Sequence, residues 1–372
     1  KVDREERPDI DRIYMAALHS LGEQGGWPLT MFLTPDALPF WGGTYFPPET
    51  KYGRPSFRHV LTEISRIWQQ ERNKVTHNAE AISAALQQPR YAAGPNQLST
   101  TEIFQAADII INATDPQYGG LKGTPKFPQA PIFTFLWEVY LRNRNEKARD
   151  AVLTTLTQIC NGGIYDHLAG GIARYSTDHK WLAPHFEKML YDNTQYVSLL
   201  TRAWLKTESP LYVTRIEHTI EFVLREMTGE SGCFTSSYDA DSEGEEGKYY
   251  VWSQAEIEKL LTLDEFEIFQ TAYDVTPGGN WEGHTILNRT HDTTPDTPEN
   301  EKILASARAK LRAVRSKRIP PQHDDKILAD WNGLFITALA EASLVFGNKA
   351  WADTATKVFA EVLTLFWKDN RL

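Results

Sequence analysis

The chain has 372 residues, of which 41% are hydrophobic and 12% aromatic, and its formal net charge is -10. This length suggests two domains, and the acidic balance argues against a nucleic-acid or anionic-membrane surface, because both need clustered lysine and arginine. Cys160 and Cys233 are the two cysteines, and they form no C-x-x-C pair, which argues against a disulfide framework or a zinc ribbon. We therefore expect a cytoplasmic protein without metal or cofactor that binds a small neutral ligand, with its oligomeric state left open.

Residues 1–88 are predicted to form a small α/β domain, because strand-like and helical periods alternate along this stretch. In chain order the predicted elements are a strand end at 1–3, a helix at 9–21, a β-run at 29–33, a turn at 34–39, a returning strand at 40–46 and a long helix at 55–86. Residues 89–98 contain two prolines and a glycine and are predicted to be a linker.

Residues 99–372 are predicted to be almost entirely helical, beginning at the capping box that Ser99 and Glu102 form. Glycine-rich loops separate the helices, and two of them, at 118–121 and 161–165, recur about 43 residues apart. Such a period fits a repeated helical hairpin. In a hairpin array the loops align, so functional side chains are expected on one rim; ordinary helix caps and turns are the alternative.

The segment 184–193, Pro-His-Phe-Glu-Lys-Met-Leu-Tyr-Asp-Asn, concentrates ionisable groups. Pro184 is typical of a first helical turn, and helical spacing would put His185 and Asp192 on one stripe, with Glu187 on the neighbouring one. The positive end of a helix dipole disfavours an imidazolium, so His185 is predicted to be a neutral base or donor. The alternative is a buried, hydrogen-bonded histidine beside a capping carboxylate.

Several motifs spread over most of the chain resemble the YyaL or spermatogenesis-associated thioredoxin-like family. They are Val-Asp-Arg-Glu-Glu-Arg-Pro-Asp at 2–9, Gly-Trp-Pro at 26–28, Phe-Leu-Thr-Pro-Asp at 32–36, Gly-Gly-Thr-Tyr-Phe-Pro-Pro at 42–48, Pro-Lys-Phe-Pro at 125–128, the segment 183–193, Asp-Ala-Asp-Ser-Glu-Gly at 239–244 and Asp-Asp-Lys-Ile-Leu at 324–328. The resemblance implies a divergent thioredoxin-like domain followed by an (α/α) barrel, similar to N-acylglucosamine 2-epimerases and six-hairpin glycosidases. It also implies a cis bond at Trp27-Pro28.

Two departures from the family pattern bear on what this chain can do. Family members carry a C-x-x-C segment before the strand that ends at 2–3, so the thioredoxin-like domain here is expected to be truncated and without its redox site. About ten helices are predicted after the linker, fewer than the twelve that six hairpins need. The barrel is therefore expected to be incomplete at its C-terminal end.

The acidic segment 239–244 is a second candidate site. It begins like a calcium loop, but its twelfth position is Tyr250 rather than a bidentate glutamate. Asp239 and Asp241 are instead predicted to bind sugar hydroxyls, with Trp252 stacked on a sugar ring. The alternative is a solvated acidic hairpin.

The segment 324–333 is a third candidate, in which Asp325, Asp330, Trp331 and Asn332 are predicted to bind a ligand at a helix start. Asp330 could instead only cap that helix. His167, between two glycine pairs, is a second candidate base. Sugar epimerases need two acid/base groups and glycosidases need two carboxylates, and the candidates His185, His167, Asp192 and Asp239 can supply either set.

The leading hypothesis is therefore a sugar-processing or sugar-binding helical barrel, of epimerase, isomerase or glycosidase type, with an accessory thioredoxin-like domain. One rival hypothesis is a thiol-disulfide or protein-folding factor whose barrel recognises a client. Another is a scaffold without catalysis.

Overall fold

The computed structural model describes residues 1–51, 53–88, 99–291 and 296–369. The chain divides into two compact units, Lys1–Leu98 and Ser99–Leu372. The linker predicted at 89–98 lies outside the described residues.

The first unit is a short antiparallel β-ribbon packed against helices. Its elements are α1 (Pro8–Ser20), β1 (Thr30–Leu33), β2 (Pro39–Gly43), α2 (Phe57–Gln70) and α3 (Arg72–Gln87). β1 and β2 pair with Thr30 opposite Gly43, and β2 packs on α3, where Phe40, Val75 and Ala79 form the core. The Trp27-Pro28 peptide bond is cis, as expected.

Two predictions for this unit are wrong. Residues 1–3 are not the end of a strand, because the Arg7 N–H donates to the Asp3 carbonyl and turns the chain directly into α1. The long helix expected at 55–86 is two helices. Glu71 separates them with φ -128° and ψ 42°, which is not helical backbone.

The second unit is built from helices. They are α4 (Thr100–Ala113), α5 (Ala130–Asn143), α6 (Glu146–Asn161), α7 (Leu190–Thr207), α8 (Pro210–Glu226), α9 (Gln254–Leu260), α10 (Leu263–Ala272), α11 (Pro298–Arg315), α12 (Ala329–Phe346) and α13 (Lys349–Phe366). The predicted capping box of Ser99 and Glu102 starts α4. In the described ranges, no helix is both long and apolar enough to cross a membrane.

These helices pack largely as hairpins. α5 packs on α6, α7 on α8 and α12 on α13, while α7 also lies against α5 and α12. Phe133 and Leu136 of α5, Leu200 of α7 and Phe335 of α12 belong to one continuous core. The helical-hairpin prediction is confirmed in this form.

Short strands join the loops at the end of the unit where α7 and α12 begin. They are β3 (Tyr175–Ser176), β4 (Pro184–His185), β5 (Lys188–Met189), β6 (Ser237–Tyr238), β7 (Asp241–Ser242), β8 (Glu245–Glu246) and β9 (His323–Asp324). The order β5-β6-β9 is antiparallel, with Met189 opposite Ser237 and Ser237 opposite Asp324. This sheet brings the three segments singled out in the sequence side by side.

One loop conformation occurs twice, although not at the predicted spacing. In both copies an aspartate N–H, of Asp115 or Asp166, donates to the carbonyl of the second glycine of a pair, Gly120 or Gly171, and both glycines of each pair have positive φ. The structural partner of the pair at 119–120 is therefore the pair at 170–171, and the repeat inferred with 161–165 is wrong. Gly162 and Gly163 instead let the backbone of residues 181–182 approach closely, since a Cβ at either would lie 2.1–2.5 Å from a carbonyl oxygen there.

Candidate functional site

The segment 184–189 is extended rather than helical, so the predicted helix start at Pro184 is wrong. Pro184 pairs with Ser176, Lys188 pairs with Tyr238, and α7 begins only at Leu190. Pairing with these neighbouring strands satisfies the backbone of the segment and outweighs its local helical preference. His185 is therefore not in the first turn of a helix, and the helix-dipole argument for a neutral imidazole does not apply to it.

Strand alternation sends the side chains of this segment to two different environments. Pro184, Phe186 and Lys188 are buried, and they line an interior cavity. His185 and Glu187 are half-buried and point to the other side. There they join a group that we call the rim cluster, which consists of Arg174, Tyr175, His185, Glu187, Tyr191, Asp192, Glu246 and Trp331.

Charged side chains connect one half of the rim cluster. His185 Nδ1 lies 2.7 Å from Glu246 Oε1, and His185 Nε2 lies 3.9 Å from Glu187 Oε2. Arg174 donates to Glu187 Oε2 over 2.7 Å, and its backbone N–H donates to the Glu187 carbonyl. The carboxyl group of Glu187 therefore lies between the Arg174 guanidinium and the His185 imidazole.

Asp192, in the first turn of α7, is the most perturbed acid of the cluster. Its Oδ2 is inaccessible to solvent and has no hydrogen-bond partner among the described residues. Burial raises the pKa of Asp192 to about 8, and the nearby Arg174 charge and Tyr191 hydroxyl oppose this shift without cancelling it. At neutral pH Asp192 is therefore mostly a protonated acid, and the nearby Glu187 contributes to its raised pKa.

Aromatic rings flank both halves of the cluster. Tyr175 stacks on the His185 imidazole with centroids 4.9 Å apart, and Tyr191 lies against Trp331 at 4.8 Å. Trp331 is half-buried in the first turn of α12, which starts at the same end of the unit as α7. Aromatic faces beside hydroxyl-binding carboxyl groups are suited to a sugar ring.

The other acidic candidates lie in or next to neighbouring strands and at the start of α12, but they are not members of the rim cluster. Asp241 is exposed in β7, directly opposite Glu246 of β8. Asp239 and Asp330 are also exposed, and each accepts the N–H of the residue that follows it, while Asp325 is exposed after β9. Asp330 thus bonds the backbone N–H of Trp331, a member of the rim cluster. Within the described ranges, no side chain of the four acids forms a hydrogen bond or ion pair with a side chain of the rim cluster, so a shared site stays a prediction.

His167 occupies an enclosed position that does not suit a general base. It is 5% exposed, Nε2 lies 3.0 Å from the Gly162 carbonyl, and Nδ1 lies 3.4 Å from Arg215 Nη2. Burial, reinforced by the positive charge of Arg215, holds the pKa of His167 well below its usual range. The structure therefore contradicts its prediction as a base, because both ring nitrogens already have partners.

Trp252 and Asn332 are structural residues, so their predicted ligand roles are wrong. Trp252 is 1% exposed in the core around α9–α11, and the Arg318 guanidinium covers its ring at 3.9 Å. Asn332 is fully buried and is hydrogen-bonded to the backbone of Phe234 and Leu328. Neither side chain is available to a ligand.

Sequence reasoning missed Arg174, Tyr191 and Glu246. If 184–189 had been read with the two-residue period of a strand, His185 and Glu187 would have been placed together on one side of the segment. Arg174, shortly after a glycine pair, and Tyr191, directly before Asp192, belong to the cluster on that side. Glu246 had no local signal, since its contact with His185 spans 61 residues. Within the part of the chain that the structure describes, no group of three or more His, Cys, Asp or Glu residues could hold a metal ion.

Known proteins resemble this chain over nearly its whole length. Spermatogenesis-associated protein 20 of Homo sapiens is 34% identical over 399 residues, covering 96% of this chain and 50% of the human protein. Spermatogenesis-associated protein 20 is thus a relative of this chain, in agreement with the resemblance that the motifs predicted. Its counterpart in Rattus norvegicus is also 34% identical, over 95% of this chain. The chain spans about half the length of these curated relatives.

A family model matches the N-terminal unit, which agrees with this sequence similarity. Residues 1–87 match the Thioredox_DsbH family model, described as a protein of unknown function, DUF255. Among solved structures, a family 76 glycoside hydrolase from a bovine Bacteroides thetaiotaomicron strain is similar, with a TM-score of 0.43 and 8% identity, over 72% of this chain and 43% of that chain. A likeness at this score carries no inference about activity.

Proposed function

We propose that the helical unit processes a sugar at the rim cluster, by acid/base chemistry of the epimerase, isomerase or glycosidase type. The observation that supports this most is the carboxyl group of Asp192, whose pKa is raised to about 8 by burial and which has the Glu187 carboxyl group nearby. A carboxyl group that stays protonated near neutral pH because of its surroundings is suited to act as a general acid.

Each group has a role in this proposal. Asp192 donates a proton to a leaving or ring oxygen, and Glu187 or His185 removes a proton or activates water. Arg174 positions the Glu187 carboxyl group through the 2.7 Å ion pair. Tyr191 and Trp331 support the sugar ring, while Asp239, Asp241, Asp325 and Asp330 extend the hydroxyl-binding surface around it.

The thiol-disulfide alternative has less support from this chain. Cys160 and Cys233 are both fully buried, and burial raises the pKa of the Cys160 thiol to about 11. Exchange chemistry needs an accessible thiolate with a partner thiol. Neither cysteine meets that need.

A thermal-shift screen of monosaccharides, disaccharides and their phosphates tests the proposal. A sugar should raise the Tm of the parent chain, and Glu187→Gln and His185→Ala should each remove that rise. Glu221→Gln, at an exposed position on α8, is the matched control and should keep it. No response to any sugar, or a response that survives both rim substitutions, would count against the proposal.

A further inference from the structure

The cavity that Pro184, Phe186 and Lys188 line contains an unbalanced group of charges. It measures about 30 Å³, and the charged residues that line it are Asp166, Lys188 and Arg315, beside neutral His167. Lys188 and Arg315 are each 3% exposed. Two cations and one carboxylate therefore leave one uncompensated positive charge in the protein interior.

This group of charges also contains N–H donors that have no hydrogen-bond acceptor. Arg315 donates from both terminal nitrogens to Asp166, over 2.9 and 2.7 Å, but its buried Nε has no partner among the described residues. Lys188 Nζ donates to Asp166 Oδ2 at 2.8 Å and to the Gly170 carbonyl at 3.0 Å. An ammonium has three N–H groups, and the third N–H of Lys188 has no oxygen or nitrogen acceptor among the described residues, although Nζ lies 4.3 Å from the centre of the Phe222 ring.

A second lysine in the same loop conformation shows what a completed arrangement looks like. Lys126 Nζ lies 3.1 Å from Asp115 Oδ2 and donates to the carbonyls of Gly119 and His179 at 2.8 and 2.9 Å. All three of its N–H groups thus have acceptors, and one cation faces one carboxylate. The arrangement around Lys188 has one hydrogen-bond acceptor fewer than the arrangement around Lys126, and it contains one additional cation, Arg315.

The surroundings do not neutralise the excess charge. Glu226 lies near Lys188 but is ion-paired with Arg225 at 2.6 Å. Arg318 lies near Arg315 but is itself paired with Glu256 at 3.6 Å. A buried charge without a counter-charge is strongly unfavourable.

We propose that this cavity is a binding site for a compact monoanion, held by Lys188 and Arg315. Its volume is close to that of one water molecule or a small ion, so the anion is either a free halide or the carboxylate of a small ligand that reaches in. The charge of Arg315 and the unused donors would then have partners. The inference does not depend on what binds at the rim cluster.

Thermal unfolding of the chain at constant ionic strength tests the site. We expect Tm to rise with bromide or formate, from about 10 to about 300 mM, and not with bulky gluconate, because only a ligand that fits the native cavity stabilises it. A rise in Tm with formate but not with bromide would indicate a site for a carboxylate. Equal Tm in all three salts would overturn the proposal.

Matched lysine variants locate the effect. Lys126→Gln should lower the overall Tm and keep the anion dependence, whereas Lys188→Gln should lose that dependence; an unchanged dependence in Lys188→Gln would overturn the assignment. If Lys188→Gln does not fold, parent crystals soaked in bromide and, separately, in formate decide. Anomalous scattering from bromide, or density for formate, beside Lys188 Nζ and Arg315 Nε supports the site, and a cavity holding neither anion contradicts it.

Discussion

Asn193 and Asn332 hold two different loops by the same hydrogen bonds, each from the fourth residue of its helix. Asn193 Oδ1 accepts from the Ile172 N–H, and its Nδ2 donates to the carbonyls of Ile172 and Met189. Asn332 does the same with the N–H and carbonyl of Phe234 and with the Leu328 carbonyl. Both residues are fully buried, so each fastens a loop to the start of an inner helix.

Loss of either asparagine should therefore destabilise the helical unit. We expect Asn332→Ala and Asn193→Ala each to lower the free energy of unfolding by roughly 2–4 kcal/mol, because buried backbone groups lose their partners. Asn112→Ala, at an exposed position in α4, is the control and should change it by less than about 1 kcal/mol. Urea denaturation measures all three, and a loss as small as the control's would contradict the structural role.

The elements that could be predicted from sequence are those determined locally. Ser99 and Glu102 satisfy each other's backbone whatever lies nearby, and α1 has a proline in its first turn. The segment at 184–189 misled because strand pairing decides its backbone: its first residues pair with the nearby β3, and its last residues pair with β6, far along the chain. Trp252 and Asn332 carry the residue types of a ligand site, and only the tertiary packing shows that they are enclosed.

The pH dependence of stability should reveal Asp192. Its pKa rises from about 3.9 in the unfolded chain to about 8 in the native state, so the native form holds the proton more tightly between these values. Stability contributed by the protonated carboxyl is complete below pH 4 and is lost as the pH rises towards 8.

Asp192→Asn removes this titration and should flatten the profile. From pH 5 to pH 9 the parent should lose on the order of a few kcal/mol relative to the variant. Asp108→Asn, at an exposed site on α4, should follow the parent. Parallel profiles for the parent and Asp192→Asn, from denaturation at several pH values, would mean that Asp192 is ionised like an ordinary aspartate.

His167 should give the opposite dependence. Because its native pKa is depressed, the stability that it contributes is present above about pH 6.5 and is lost as the pH falls below that value. His167→Gln should therefore lose less stability than the parent between pH 7.5 and pH 5, although it starts lower. His59→Gln, on the exposed side of α2, serves as the control. Identical acid sensitivity of the parent and His167→Gln would show that His167 is not a buried neutral imidazole.

Both thiols should be unreactive in the native protein. Burial raises the pKa of Cys160 and of Cys233, and both side chains are inaccessible. We expect a thiol reagent at pH 8 to label neither residue in native buffer and both in guanidinium chloride. Rapid native labelling, or insulin reduction that is lost on Cys160→Ser or Cys233→Ser, would instead favour the thiol-disulfide alternative.

His185 of the rim cluster and the neighbouring candidate Asp239 should matter for the ligand and little for folding. His185→Ala and Asp239→Asn should keep the free energy of unfolding within about 1 kcal/mol of the parent, since both lie at the surface end of the unit rather than in the core. Each should weaken the thermal response to the best sugar of the screen. Destabilisation of roughly 2–4 kcal/mol by both would indicate structural residues, and the site would have to be withdrawn.

A crystal structure of the chain soaked with the sugar that gives the largest thermal shift tests the central claim most directly. The account predicts the ring against Tyr191 and Trp331, with Asp192 and Glu187 on its reacting carbon. Sugar density elsewhere in the helical unit, or an empty rim cluster at a saturating concentration, would contradict it.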